Sequence, residues 1–399
     1  MAFVSEKVSQ LPPYLFSEFQ RKKKQKQAEG VDVIDLGIGA PDLPTPDFVI
    51  DKLTEEVKQP ANHRYSTYGG CQEFREAVAS FYEKHYGVSL DPETEVLTLI
   101  GSKEGIANLV QSVINPGDGV LLPDPGYPAY QAAVHLADGE QILLPLDPEN
   151  GYQPNFSTIA TESIQRSKLM LLNYPSNPTA ATIDLKTFME AVTFAKKNNL
   201  VVAQDAAYDL ITFGDYKAPS ILQVPGAKDC AVELGSLSKS FNMTGWRIGY
   251  IVGNKTVIKA LATLKSNIDT SQFLPIQKAA ATALTSDLEA VKEHNAVYYK
   301  RMETMYNGLR DMGIEVEKPA GTIFIWAKVP NGHTSMSFAN RMLEEAGVIV
   351  TPGNAFGSSG EGYFRIALSV PSERLEEVVS RMKSMKREGL TSSGNKDSS

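Results

Sequence analysis

Residues 236–250 read SLSKSFNMTGWRIGY, a run whose only charges are Lys239 and Arg247. A single amine among serines is either an ordinary surface lysine or a placed nucleophile, and the rest of the chain has to decide. Arg247, inside the apolar WRIGY, suits bidentate contact with a phosphate or a carboxylate. Asp205 closes VVAQD, a run apolar enough to be buried. A carboxylate there is costly unless paired, so it either caps the next turn or faces a cationic ligand group. Tyr208 follows three residues later with a phenol. Asn173 and Asn177 lie in the proline-bracketed NYPSNPTA, where one asparagine is turn chemistry and two lean towards a site. GSKEG, residues 101–105, places Ser102 and Lys103 where a strand gives way to a helix. A Gly-Ser pair there can hold a phosphate with backbone N–H groups and a hydroxyl, although serine is also a common N-cap.

These residues need a frame, and the chain supplies alternating strands and helices. EVLTLIG runs into KEGIANLVQSVI, and GDGVLLPDPGYP ends in a Pro/Gly turn. SKLMLLNYP precedes the amphipathic LKTFMEAVTFAKKNN, and LVVAQDAAY, DCAVELGSLSK and WRIGYIVG are further apolar strands. Short buried strands alternating with helices predict an α/β fold, a mainly parallel sheet covered on both faces. Ligands in such sheets collect where strands end and helices begin. After Ser271 the pattern turns to long helices, residues 277–310, and then to short strands in IFIWAKV, GVIVTPG and GYFRIALS. This predicts a large domain over 47–290 and a smaller α+β domain over 291–388. A loop-rich segment, 1–46, is expected to join the smaller one, and 389–399 to form a disordered tail.

The chain has 399 residues, room for one large domain or two. A net charge of -8 argues against a nucleic-acid or anionic-membrane partner. The basic run RKKKQK, residues 21–26, reads as a solvated helix face. Two distant cysteines, Cys71 and Cys230, make neither a disulfide framework nor a metal motif, and the scattered histidines predict no metal site. With no signal-like or membrane-length apolar run, the expected location is the reducing cytoplasm.

A phosphate cradle, the aromatic Tyr127, a buried carboxylate, a phenol and one amine are together what pyridoxal 5'-phosphate asks of a protein. The motifs GAPD, YSTYGG, PDPGYP, NYPSNPTA, DAAY and SLSKSFNMTGWRIG, in this order, closely resemble the class I/II aminotransferases of the fold-type I pyridoxal-phosphate superfamily. Within it, KLMLLNYPSNPTAA, VPGAK and LKSNIDTSQF look most like the LL-diaminopimelate aminotransferase group. The resemblance implies that Lys239 binds the cofactor aldehyde and moves the proton, and that Asp205 holds the ring nitrogen. It implies Tyr208 and Asn177 at the ring hydroxyl oxygen, Tyr127 stacked on the ring, and Ser102, Lys103, Ser236 and Arg247 around the phosphate. It further implies a homodimer, with Tyr65 reaching the neighbouring subunit's phosphate. Arg365 would clamp the substrate α-carboxylate, helped by Asn177 and the Gly39 backbone.

Three places depart from the family pattern. Ala180 stands where NPTG is usual. Gly235 removes a bulkier side chain from ELGSLSKSF, and Ser271 and Gln272 alter a segment expected to contact substrate. Cofactor chemistry therefore reads clearly, while the substrate is left as an L-amino acid with a long polar or cationic side chain and a 2-oxo acid partner. Glu18 and Asp269 are the candidate acids for that side chain; each alone reads as a surface charge. A pyridoxal-phosphate lyase or side-chain cyclase acting on a γ-substituted, arginine-like amino acid is the alternative enzyme. A non-catalytic pyridoxal-phosphate-binding regulatory module is the alternative of another class.

Overall fold

The computed structural model describes residues 3–11 and 15–385, and for 15–20 the backbone alone. The expected tail and the Glu18 side chain lie outside the described residues. The strands, in chain order, are β1 (Ile34–Asp35), β2 (Val96–Leu99), β3 (Gly119–Asp124), β4 (Glu140–Pro145), β5 (Ser167–Asn173) and β6 (Val201–Asp205). They continue with β7 (Ala231–Ser236), β8 (Gly249–Gly253), β9 (Phe324–Lys328), β10 (Val348–Ile349), β11 (Thr351–Pro352) and β12 (Tyr363–Ala367).

Seven of them form one sheet in the order β2-β8-β7-β6-β5-β3-β4, in which β8 is antiparallel to both neighbours and the other pairs are parallel. Both faces are covered, and the side chains show it. Leu169 and Leu171 bury in one core while Met170 and Leu172, pointing the other way, bury in a second. One core takes in helix Ser102–Val113, and the other helices Gln72–Tyr86 and Leu185–Asn198. The sheet thus has the mainly parallel, doubly covered form expected from the sequence.

Strand β4 was not among the expected strands. It lies at the sheet edge, and its burial alternates along EQILLP, so it lacks the continuous apolar signature of its neighbours.

A third core gathers around the antiparallel sheet β11-β12-β9 and the helices Glu289–Asp311, Ser335–Ala346 and Ser372–Ser384. Val33, Ile34 and Leu36 bury in the same core, and β1 pairs in parallel with β10. The expected boundary after residue 290 falls in the first turn of the helix Glu289–Asp311. The N-terminal segment is less loop-rich than expected, since Leu15–Ala28 is a helix. The basic run lies on it, and its lysines are more than a solvated face. Lys22 Nζ donates to Asn340 Oδ1 (2.8 Å), while Lys23 and Lys26 pair with Asp35 (3.0 Å) and Glu344 (2.5 Å). No helix among the described residues is long and apolar enough to cross a membrane.

Candidate active site

Parallel register brings Asn173 of β5 beside Asp205 of β6, and Asp205 beside Leu234 of β7, two residues before Ser236. Three polar strand ends therefore stand side by side, where helix N-termini also point. A cavity of about 460 Å³ opens above them. The residues singled out for the cofactor and the substrate carboxylate line it, from Gly39 and Ser102 to Lys239 and Arg365, except Tyr65. Tyr65 is 89% exposed on the surface of this chain.

Asp205 is buried, and its Oδ2 accepts a hydrogen bond from the Tyr130 hydroxyl at 2.8 Å, while Oδ1 has no partner. Burial raises the carboxyl to about 6, and the Tyr130 hydrogen bond pulls the other way. Asn173 fixes the corner: its Nδ2 donates to Asp205 O at 2.8 Å and its Oδ1 accepts from Asn177 N at 2.8 Å. Tyr208 sits against Phe324, ring centroids 5.5 Å apart, and burial raises its phenol well above the ordinary range.

Lys239 lies on the one-turn helix Leu237–Ser240 that follows β7. Its Nζ donates to Gly39 O at 2.7 Å, 200 residues away in sequence. Burial lowers its ammonium to about 8; the Arg365 and Arg247 charges act in the same direction and Asp205 opposes them. An amine with that value has a far larger neutral fraction near physiological pH than an ordinary lysine, and the neutral form can act as nucleophile or base.

At one end of the cavity, Gly101 precedes helix Ser102–Val113 with no side-chain cap, so the first-turn N–H groups face outwards. Arg247 crosses there. A Cβ on Gly101, whose φ is +81°, would lie 2.3 Å from an Arg247 terminal nitrogen, so the approach requires glycine. Arg247 itself has φ +53° and donates to Thr244 O at 2.8 Å. At the other end Arg365, on β12, is buried. It donates to Asn177 Oδ1 (2.6 Å) and Gly37 O (2.7 Å), with the Phe324 and Phe356 rings 4.2 and 4.7 Å from its guanidinium carbon.

An anion cradle at a helix N-terminus, a bare carboxylate oxygen in mid-cavity and a depressed amine between them fit pyridoxal 5'-phosphate at its phosphate, ring nitrogen and aldehyde. The sequence reading missed Tyr130, Phe324 and Phe356. Tyr130 stands in the first turn of helix Ala129–Leu136, three residues after Tyr127 in the preceding turn, and their rings meet edge to face at 5.6 Å. Phe356, in NAFG, carries no comparable signal.

Three expectations about the substrate end are corrected. A Cβ on Gly235 would fall 2.1 Å from the buried Tyr250 ring, so this glycine faces the core and does not enlarge the cavity. Asp269 is engaged by the buried Lys265 (2.9 Å), which also pairs with Glu104 (2.7 Å). Gln272 donates to Leu99 O (2.9 Å) and Arg247 O (3.0 Å), and Ser271 Oγ donates to Gln272 Oε1 (2.7 Å), so this segment braces the arginine and lies off the cavity lining.

Residues 31–382 match the family model described as aminotransferase class I and II. The LL-diaminopimelate aminotransferase of Moorella thermoacetica is 50% identical over 379 residues, 95% of this chain and 97% of that one. That of Aquifex aeolicus is 47% identical over 382 residues, 96% and 99% of the two chains. Among solved structures, substrate-bound BacF from Bacillus subtilis superposes with a TM-score of 0.93 at 38% identity, covering 96% of this chain and 98% of that one. An aminotransferase from Staphylococcus aureus gives 0.89 at 35% identity, covering 95% and 98%.

Proposed function

The chain belongs to the class I and II aminotransferases, and from that premise we propose that it moves an amino group between a diaminopimelate-like amino acid and a 2-oxo acid. Pyridoxal 5'-phosphate is its cofactor. When bound, it supplies the aldehyde that accepts the amino group and a protonated ring that serves as electron sink.

In this reading Arg247, Ser236, Lys103 and the Ser102 end of the helix hold the phosphate, with Tyr127 against the ring. Asp205 Oδ1 keeps the ring nitrogen protonated, which explains an otherwise costly bare oxygen. Tyr208 and Asn177 hold the ring hydroxyl oxygen. Arg365 takes the substrate α-carboxylate in its planar fork and so orients the Cα–H bond. Lys239 Nζ removes the Cα proton, and its depressed value suits that task. The observation that carries the reading is that Lys239, the bare Asp205 oxygen and Arg365 line a single cavity.

The substrate follows from the relatives. Chains of this kind at 45–50% identity over nearly the full length carry the LL-diaminopimelate aminotransferase name. A diamino dicarboxylic acid has the long, polar, cation-bearing side chain expected from the sequence. Elimination, cyclisation and a non-catalytic module draw no support from these relatives. A homodimer belongs to the same reading, with Tyr65 turned outwards to serve the neighbouring site. So does a cytoplasmic location, supported by two free thiols, Cys71 and Cys230.

The test is a comparison of LL-diaminopimelate, L-lysine, L-aspartate and L-phenylalanine as donors to 2-oxoglutarate, reading glutamate. LL-diaminopimelate is expected to lead in kcat/KM by about 100-fold or more over aspartate and phenylalanine. A lead for either of those would refute the substrate while leaving the aminotransferase intact.

A further inference from the structure

Asp124, the last residue of β3, is 1% exposed, and the groups that meet its carboxylate are neutral donors from far along the chain. Ser358 Oγ donates to its Oδ2 at 2.7 Å and Ser359 Oγ to the same oxygen at 3.0 Å. The Ser359 N–H is shared between Oδ1 (3.2 Å) and Oδ2 (3.3 Å). Two residues after Asp124, Gly126 N donates to Phe356 O at 2.7 Å. The approach is close enough to dictate the loop sequence: Gly357 has φ +128°, and a Cβ there would lie 1.9 Å from Asp124 Oδ1. A buried carboxylate kept without a counter-ion needs a full set of donors, and this loop provides them.

What the loop carries is Phe356, 2% exposed, whose ring lies 4.7 Å from the Arg365 guanidinium carbon and 6.0 Å from the Trp326 ring. What β3 runs into is the turn holding Tyr127, on the cavity wall. One carboxylate therefore joins the large sheet's wall to the ring that packs on Arg365.

We propose that Asp124 and the hydroxyl loop 357–359 form a latch that holds Phe356 against Arg365 and so fixes the arginine fork for the substrate carboxylate. The latch rests on the reading of Arg365 as that clamp. Asp124 and the two serines are positioning residues, since none of them lines the cavity. Opening the latch leaves the phosphate end, Asp205 and Lys239 as they were. Its cost falls on the affinity for the carboxylate of either substrate.

The experiment compares holoenzymes using the best amino donor of the wild type. Ser358→Ala/Ser359→Ala is expected to raise KM for the donor about tenfold, with kcat within about twofold and the cofactor's absorbance and affinity unchanged. Phe356→Ala should raise KM similarly, and the combined variant should add little to either, because they break one device. Ser358→Thr keeps the hydroxyl at an exposed position and should retain the wild-type KM. Asp124→Asn approaches from the other side and should match the serine pair; if it does not fold, the serine variants carry the test. An unchanged KM in the serine pair, or a fall in kcat and cofactor affinity instead, overturns the latch. Arg365→Ala in parallel separates the causes: no rise in KM there removes the clamp and the latch with it, whereas a rise there without one in the serine pair removes the latch alone.

Discussion

Asp205 shows what a single residue concedes to the site it serves. Its Oδ2 is held by Tyr130 and its Oδ1 is left bare in the cavity, at a position 6% exposed. Burial raises the carboxyl from the usual 3.8 to about 6, so the folded cofactor-free chain binds this proton more tightly than the unfolded one. The sign follows. The contribution to stability is fully present below the unfolded value near 3.8 and is lost as pH rises through 6, so above pH 6 the ionised group opposes folding. A shift of about two units corresponds to about 3 kcal/mol. Asp205→Asn removes the charge and can still accept from Tyr130. Cofactor-free Asp205→Asn is therefore expected to be about 2–3 kcal/mol more stable than wild type in urea at pH 8, with the difference vanishing near pH 4. Its turnover should fall steeply at every pH. Equal stability at pH 8 would mean that the carboxylate is not held ionised against its surroundings.

At the scale of elements, the segment 37–42 acts as a strap. It makes no strand with the large sheet, yet Gly37 O accepts from Arg365, Gly39 O accepts from Lys239, and Asp42 receives both terminal nitrogens of the buried Arg301 at 2.7 and 2.9 Å. Arg301 sits on the long helix Glu289–Asp311 and also donates to Leu368 O at 3.1 Å. Removing one partner of such a pair leaves an uncompensated buried cation. Asp42 is itself partly exposed, which tempers the loss. Asp42→Ala is expected to cost about 2 kcal/mol of stability and, by loosening the strap, to raise KM for the amino donor. Asp42→Asn should cost less, since it retains one acceptor. Chemical denaturation alongside steady-state kinetics checks both, and an unchanged KM would separate the strap from the site. The parallel strands were legible because strands buried on both faces must be continuously apolar, and the polar residues that end them, Asn173, Asp205 and Ser236, then stand out. The strap, the edge strand β4 and the direction of Gly235 were not. Each is fixed by a tertiary partner (Arg301, the sheet edge and Tyr250), and none leaves a mark in local periodicity. For the same reason Phe356 and the Asp124 loop could not be named from sequence, whereas Lys239 stood out as the lone amine of its run and Arg365 came from the family resemblance.

At the scale of the molecule, the rim of the site meets a face that a single chain leaves open. Tyr65 is 89%, Tyr68 55% and Ile268 58% exposed, and His63 beside Tyr65 packs edge-on against the half-exposed Phe273 at 5.3 Å. Gln277 reaches Ser66 Oγ at 3.0 Å, and Gln272, in the same segment, braces Arg247. The Tyr65 turn therefore belongs to the same body as the phosphate end of the cavity while its own side chain points out of it. In the proposed homodimer, two-fold symmetry would carry each Tyr65 to the other chain's site. A complementation experiment reads this directly. In the proposed mechanism Lys239→Ala lacks the catalytic amine, and Tyr65→Ala is expected to weaken the site its tyrosine serves. Co-expressed in equal amounts, the two give hybrid dimers in about half of the population. If Tyr65 acts across the interface, each hybrid holds one site with both residues native, the lysine from one chain and the tyrosine from the other. The mixture should then recover about one quarter of wild-type activity per chain, well above either variant alone. If Tyr65 serves its own chain, hybrids contain no intact site and the mixture gives only the average of its parents. That result, or sedimentation of an active monomer, would end the shared-site reading and leave the cofactor chemistry of the single chain in place.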